Sequence, residues 1–167
     1  GVPAKEILDM YVEHAPKIFG QTGNAKSIRV LQRTARWFKY RAVGKTLNAK
    51  ALNQAIKSVL SDQVMGDAKT RLCIPAVSGA KSYPRVFKTR HHKDYITDHK
   101  YPAADIAMAT AAPPTYTYAW DVEEEGNMVD GALWANNPSA VAVVEAITKL
   151  NWQPEEIHLL SIGSCPE

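Results

Sequence analysis

Between Tyr101 and Ala112 the chain places six alanines, Ala103, Ala104, Ala107, Ala109, Ala111 and Ala112, and then meets Pro113-Pro114. Alanine is the best helix former and has almost no side-chain bulk, whereas paired prolines cannot continue a helix. Pro102 suits the first helical turn. The segment therefore predicts a short helix whose backbone can come very close to its neighbour. Tight helix packing and proximity to a reactive centre both call for such a surface.

Around it the chain alternates helical and extended patterns. Ile7, Leu8, Tyr11, Val12 and Ala15 recur at helical spacing after Pro3, with Pro16 and Gly20 as punctuation. Asn48 is placed to cap a second helix with the apolar face Leu52, Ala55, Ile56, Val59 and Leu60, closed by Gly66-Asp67. Residues 72–77 read as a mostly buried strand in which Pro75 argues for an edge position or a local irregularity. Ser78-Gly79 then turns the chain, and residues 85–89 alternate like a second strand or the return arm of a hairpin. Residues 116–120 are aromatic and read as extended, residues 123–127 as a solvent-facing turn, and Met128-Val129 as a return to the core. Asn137 and Pro138 open a helix whose inward face is Ala140, Val143, Val144 and Ile147, and residues 157–163 read as a buried strand and turn. This late strand–helix–strand order predicts an α/β layer architecture with at least some parallel pairing.

A chain of 167 residues, 46% hydrophobic and 22% charged, has the size and balance of one globular domain, which excludes disorder, collagen and a disulfide scaffold. No apolar stretch approaches the roughly 20 residues that span a bilayer. Cys73 and Cys165 cannot build a disulfide framework; they read as free thiols in a reducing compartment, hence a cytoplasmic location. The net charge of +3 hides a polarity: residues 1–100 carry 19 Lys/Arg against 7 Asp/Glu, and residues 101–167 carry Lys149 against 10 Asp/Glu. The densest basic stretch, residues 26–45, also contains Trp37, Phe38 and Tyr40. It reads as a solvated face or as a peripheral contact for an anionic membrane surface, with Arg29, Arg33 and Arg36 as the contacting residues. No zinc-finger spacing, RNP-like strand or recognition helix supports nucleic acid as a partner. His91, His92, Asp94, Asp98 and His99 form a polar cluster without an HExxH or Cys/His pattern, so it reads as a solvated loop and no metal is expected.

Asp130 is the residue best placed for chemistry. It follows the apolar pair Met128-Val129, precedes Gly131 and lies shortly before Asn136-Asn137-Pro138. A carboxylate at a strand end can take a proton from a hydroxyl nucleophile, and a flanking glycine leaves room for close approach. On the residues alone, Asp-Gly is chiefly a turn signal.

Ala104-Asp105-Ile106-Ala107-Met108-Ala109-Thr110-Ala111-Ala112-Pro113, followed by Tyr116, resembles the small-residue helix that precedes the catalytic aspartate in patatin-like lipid acyl hydrolases. Val129-Asp130-Gly131-Ala132-Leu133-Trp134-Ala135-Asn136-Asn137-Pro138 resembles their DG[GA] motif and the adjoining N-N-P helix start. Ile74-Pro75-Ala76 and Val86-Phe87 are similar to the family's central strands, and residues 160–164 to the strand and turn that close its core. The likeness runs over essentially the whole chain, and it implies a three-layer α/β/α fold with a central, mostly parallel sheet. It also implies a Ser–Asp dyad acting on phospholipid or lysophospholipid esters through an acyl-enzyme, without cofactor, metal or catalytic histidine. Asp130 would be the base. Tyr116, Tyr118, Trp120 and Trp134 would line the acyl-chain channel, where burial contributes roughly 0.8 kcal/mol per methylene, with Tyr118 and Trp120 at a rim or membrane-facing position and core packing as the alternative for Trp134. Gly131, Asn136, Asn137 and Pro138 would shape the turn beside it. One feature departs from the pattern: the 167 residues contain no G-x-S-x-G elbow. The resemblance thus implies a partial catalytic domain over residues 1–167, completed by an N-terminal segment or a partner chain and inactive alone. The alternative is a non-catalytic scaffold or a peripheral membrane-binding regulatory module with a degenerate fold of this type.

Overall fold

The computed structural model describes residues 3–19 and 47–163. Its sheet is made by two hairpins laid side by side. Strands β1 (Cys73–Ser78) and β2 (Tyr83–Lys88) pair through a turn at residues 79–82, and β3 (Trp120–Val122) and β4 (Gly126–Asp130) through a turn at residues 123–125. Gly126 at φ 77° and Glu124 at φ 66° reverse the second hairpin tightly. β1 then pairs with β4, giving the order β2-β1-β4-β3.

Every one of these pairings is antiparallel. The mostly parallel sheet expected from the sequence is therefore overturned for the described residues. Parallel neighbours need a long crossover, whereas turns of three and four residues, as here, join only antiparallel arms. The second source of the error is the segment at residues 157–163. It forms no strand, and Leu159, Leu160 and Ile162 are 55%, 80% and 86% exposed. The extended reading of residues 116–120 also fails before Trp120, because residues 114–116 form a turn.

Pro75 sits inside β1 without breaking it. The strand's even-numbered residues face β2, as the backbone bond from Thr89 N–H to the Leu72 carbonyl shows, so Pro75 faces the β4 side. The β1–β4 register ends at Ala76 opposite Asp130, so the missing N–H costs no ladder bond. The Pro75 carbonyl instead accepts the Thr110 hydroxyl at 2.7 Å.

Helix α1 (Ala4–Phe19) continues past Pro16, and most of its apolar side chains, Leu8 and Val12 among them, are exposed. In α2 (Ala49–Leu60), Asn48 Oδ1 accepts the Ala51 N–H at 3.2 Å, satisfying one of the first-turn donors. Helix α3 (Ala103–Thr110) buries Ala104, Ile106, Met108 and Ala109. Ile106 and Ala109 join Phe87, Met128, Val122, Ala76, Met65 and Tyr101 in one core. Short α4 (Ala132–Ala135) follows β4, and α5 (Ser139–Leu150) comes next. None of the described helices is long and apolar enough to cross a membrane.

At the far edge of the core, Arg85 is held between two carboxylates. Its guanidinium donates to Asp98 Oδ1 at 2.6 Å and to Glu125 Oε1 at 2.7 Å, and its Nη1 donates to the Val86 carbonyl at 2.6 Å. Burial alone would lower its pKa, but Glu125 and Asp98 outweigh that and keep the cation fixed. Asp98 is buried, which corrects the solvated-loop reading for that residue.

Three predictions test this frame. Arg85→Met leaves two mostly buried carboxylates facing each other and lowers stability by about 3 kcal/mol in urea unfolding. Lys149→Ala, which removes an exposed 3.6 Å contact to Asp94, changes it by less than about 0.5 kcal/mol. Gly131→Ala drives a Cβ into the Pro75 carbonyl and carbon, so it costs about 1–3 kcal/mol in the same measurement.

Candidate functional site

β4 is an interior strand, paired with β1 on one side and β3 on the other, and its C-terminal residue is Asp130. The Asp130 N–H donates to the Ala112 carbonyl at 3.0 Å, so the strand end is tied to the residue just past the alanine helix. Its side chain is half-buried. Oδ1 accepts the Ala132 N–H at 2.7 Å, and Oδ2 takes no hydrogen bond among the described residues. Gly131 packs so closely on Pro75 that a side chain has no room, and its carbonyl accepts the Ala135 N–H at 2.9 Å. The result is a carboxylate with one oxygen fixed and one open, a geometry suited to accepting a proton.

Trp134 stands beside it. The indole N–H donates to the Ala76 carbonyl at 3.0 Å, and the ring remains 40% exposed. Trp120 pairs across from Met128 and donates its N–H to Asp105 Oδ1 at 3.1 Å, so it is part of the packing around the core. Tyr116 and Tyr118 are 53% and 70% exposed, on the segment that joins α3 to β3. Asn137 Oδ1 accepts the Ser139 N–H at 3.0 Å, and its Nδ2 donates to the Ser161 hydroxyl at 3.2 Å. It thereby links the start of α5 to the tail, while Asn136 and Pro138 lie exposed at the same turn. Arg29, Arg33 and Arg36 lie outside the described residues.

A second group of chemically capable side chains is built around Glu145. The helix face expected to point inward is largely outward, with Val144 57% and Ile147 39% exposed; Glu145 and Ala146 are the buried positions of α5. Glu145 Oε2 accepts Lys88 Nζ at 2.6 Å, and Oε1 accepts the Tyr95 hydroxyl at 2.5 Å. His91 Nε2 lies 3.0 Å from the same Oε1, and His91 Nδ1 lies 2.8 Å from Thr89 Oγ1. The His91 side chain is only 4% exposed, so the solvated-loop reading fails here too. Cys73 completes the group: its sulfur, a His91 ring nitrogen and a Glu145 oxygen all lie within 4.8 Å of one another. Burial, then the Glu145 charge, pushes the Cys73 thiol up. Burial would raise the Glu145 carboxyl, but hydrogen bonds from Lys88, Tyr95 and His91 outweigh it and hold it below the usual value. A thiol so disfavoured as thiolate is no activated nucleophile in this state. The three residues open on a cleft of about 860 Å³, bordered also by Leu72, Ala142 and Trp152. Sequence reading missed this group. The available signal was Glu145 itself, a lone carboxylate flanked on both sides by apolar residues of its helix.

With both sites placed, comparison with known proteins is informative. No family model matches the chain. It is 31% identical over 168 residues to a cGAMP-activated phospholipase of Pseudomonas aeruginosa, covering 98% of this chain and 46% of that protein. It is 30% identical over 175 residues to a cGAMP-activated phospholipase of Vibrio cholerae, covering 100% of this chain and 48% of that protein. Patatin-like protein 2 of Arabidopsis thaliana is 31% identical over 157 residues, 89% of this chain and 37% of that protein. The chain thus spans about half the length, or less, of the curated relatives it matches, and over nearly all of its own length it is related to the patatin-like phospholipases.

Proposed function

We propose that this chain is the aspartate-bearing part of a serine lipid acyl hydrolase, with residues 1–167 forming a partial catalytic domain. Asp130 is the general base, and the nucleophile is a serine on an elbow that the 167 residues do not contain. The observation that carries this reading is the divided state of the Asp130 carboxylate. Oδ1 is anchored by the Ala132 N–H, and Oδ2 is left open at the end of an interior strand.

In the reaction, Oδ2 takes the proton of the serine hydroxyl as that oxygen attacks the ester carbonyl. The acyl group passes to the serine, and the protonated Asp130 returns the proton to the departing alcohol oxygen. A water then attacks the acyl-enzyme and gives its proton to the same carboxylate, which returns it to the serine oxygen as the serine–acyl bond breaks and the fatty acid leaves. Gly131 supports this by letting the turn after the aspartate pack directly on Pro75, and the Ala112 carbonyl fixes the strand end by accepting the Asp130 N–H. The substrate is a phospholipid or lysophospholipid ester. Tyr116, Tyr118 and Trp134 offer exposed aromatic surface for an acyl chain, and the reaction takes place at a cytoplasmic membrane surface reached through Arg29, Arg33 and Arg36. The names of the bacterial relatives describe activation by cGAMP, and we extend that dependence to the protein to which this chain belongs.

Two measurements test the proposal. The purified 167-residue chain forms no acyl-enzyme and gives no esterase signal on lysophospholipid; hydrolysis that Asp130→Ala abolishes would show that the chain holds its own nucleophile. In a longer protein that carries the elbow, assayed with and without cGAMP, Asp130→Asn lowers kcat about 10²–10⁴-fold with little change in vesicle binding. An unchanged kcat in that variant removes Asp130 from the chemistry.

A further inference from the structure

We propose that Cys73, His91 and Glu145 form a binding site for a divalent transition-metal ion of the zinc class, with its fourth position open to the adjoining cleft. This site is distinct from Asp130 and does not depend on the hydrolase reading.

Three unlike donors converge from three parts of the fold: a thiol at the first residue of β1, an imidazole just after β2 and a carboxylate from the middle of α5. Sulfur, nitrogen and oxygen together are the donor set that tetrahedral zinc accepts, and magnesium or calcium would not select the sulfur. At bond lengths of about 2.0–2.3 Å, tetrahedral donors lie about 3.3–3.6 Å apart. Here the three lie within 4.8 Å of one another, with His91 and Glu145 at 3.0 Å, so small side-chain rotations suffice.

The outer partners favour the same reading. A metal-bound imidazole needs its other nitrogen held, and His91 Nδ1 rests on Thr89 Oγ1 at 2.8 Å. Thr89 is itself fixed: its hydroxyl oxygen accepts the Leu72 N–H at 3.0 Å and its own N–H donates to the Leu72 carbonyl. That leaves Nε2 aimed at the carboxylate. Glu145 is anchored by Lys88 on Oε2 and by the Tyr95 hydroxyl on Oε1, so its second lone pair on Oε1 faces His91. The metal replaces the proton shared between His91 and Glu145 and displaces the Cys73 thiol proton to solvent, and Lys88 and Tyr95 stay as its outer shell. The cleft of about 860 Å³ supplies the open side, where a water or a ligand donor completes the coordination.

The test uses cobalt as a spectroscopic probe and zinc as competitor on the 167-residue chain under a non-chelating reductant. One equivalent of Co²⁺ is expected to give tetrahedral visible bands and a thiolate charge-transfer band, both erased by one equivalent of Zn²⁺. Cys73→Ser, nearly isosteric at a half-buried position, removes the charge-transfer band. His91→Ala and Glu145→Gln each weaken zinc affinity at least tenfold, and Thr89→Val about tenfold through the lost outer contact. Cys165→Ser and His92→Ala change neither band nor affinity by more than about twofold. Far-UV circular dichroism checks that each variant is folded, and the Cys73→Ser result decides the matter if Glu145→Gln is not. Absence of a charge-transfer band, its survival in Cys73→Ser, or its loss in Cys165→Ser overturns the site.

Discussion

The close approach of the alanine helix to the ends of β1 and β4 sets the position of everything else. With side chains no larger than methyl on much of its surface, α3 can lie against the sheet with Ile106 and Ala109 fully buried in the shared core. At its end Thr110 donates its hydroxyl to the Pro75 carbonyl, and two residues later the Ala112 carbonyl accepts the Asp130 N–H. Both strands are therefore fastened by two residues, Thr110 and Ala112, at the end of one segment. Bulkier residues would push α3 outward, and these two bonds would lengthen together. Buried backbone groups left without partners each cost about 1–3 kcal/mol, so the arrangement is cooperative.

Polar groups in the fold show three degrees of completion. Arg85, Asp98 and Glu125 form a closed set: the cation meets both carboxylates and a backbone carbonyl, and Asp98 also accepts the Lys88 N–H at 2.9 Å. Such a set fixes where the loop after β2 lies. The Glu145 group is satisfied internally, yet it borders a cleft on one side. Asp130 is the least complete, with one oxygen engaged and the other open. A group can act on a substrate only with valences the fold has not used, and at Asp130 the unused oxygen sits on a half-buried side chain at a strand end.

Local chemistry was legible in the sequence where one residue type dictates one conformation. The Asn48 cap, the alanine helix ended by Pro113-Pro114 and the Ser78-Gly79 reversal all follow from single-residue preferences. Strand direction was legible only as far as the Ser78-Gly79 turn allowed a hairpin, and the direction of the β1–β4 pairing was not. A buried strand shows the same apolar run whether its neighbour is parallel or antiparallel, and only the short connections decide. The burial of Glu145 was hidden for a related reason. In α5 residues 140–144, 146 and 147 are all alanine, valine or isoleucine, so the helix has no distinct apolar stripe from which to choose a face. Once Lys88, Tyr95 and His91 are at hand to satisfy the carboxylate, the face containing Glu145 turns inward. Those partners lie 50 to 57 residues away, beyond any local pattern.

The placement of Asp130 also explains why a carboxylate alone would not suffice for the proposed acyl transfer. A base can lower the barrier only if the hydroxyl it serves and the donors that receive the developing oxyanion are in place at the same moment. Loss of one such donor costs about 3 kcal/mol, and loss of the nucleophile removes the covalent route itself. In the described residues the Asp130 side chain meets the Ala132 N–H and no serine hydroxyl. Three residues after Asp130, Leu133 is 59% exposed, and Leu159, Leu160 and Ile162 on the tail tied to Asn137 are exposed as well. Burying such side chains contributes about 1.5–3 kcal/mol each, so a segment that brought a nucleophile to Oδ2 would find favourable surface beside it. In the proposed enzyme, completing the core and completing the active site would then be one event, and the open oxygen of Asp130 marks where the two meet.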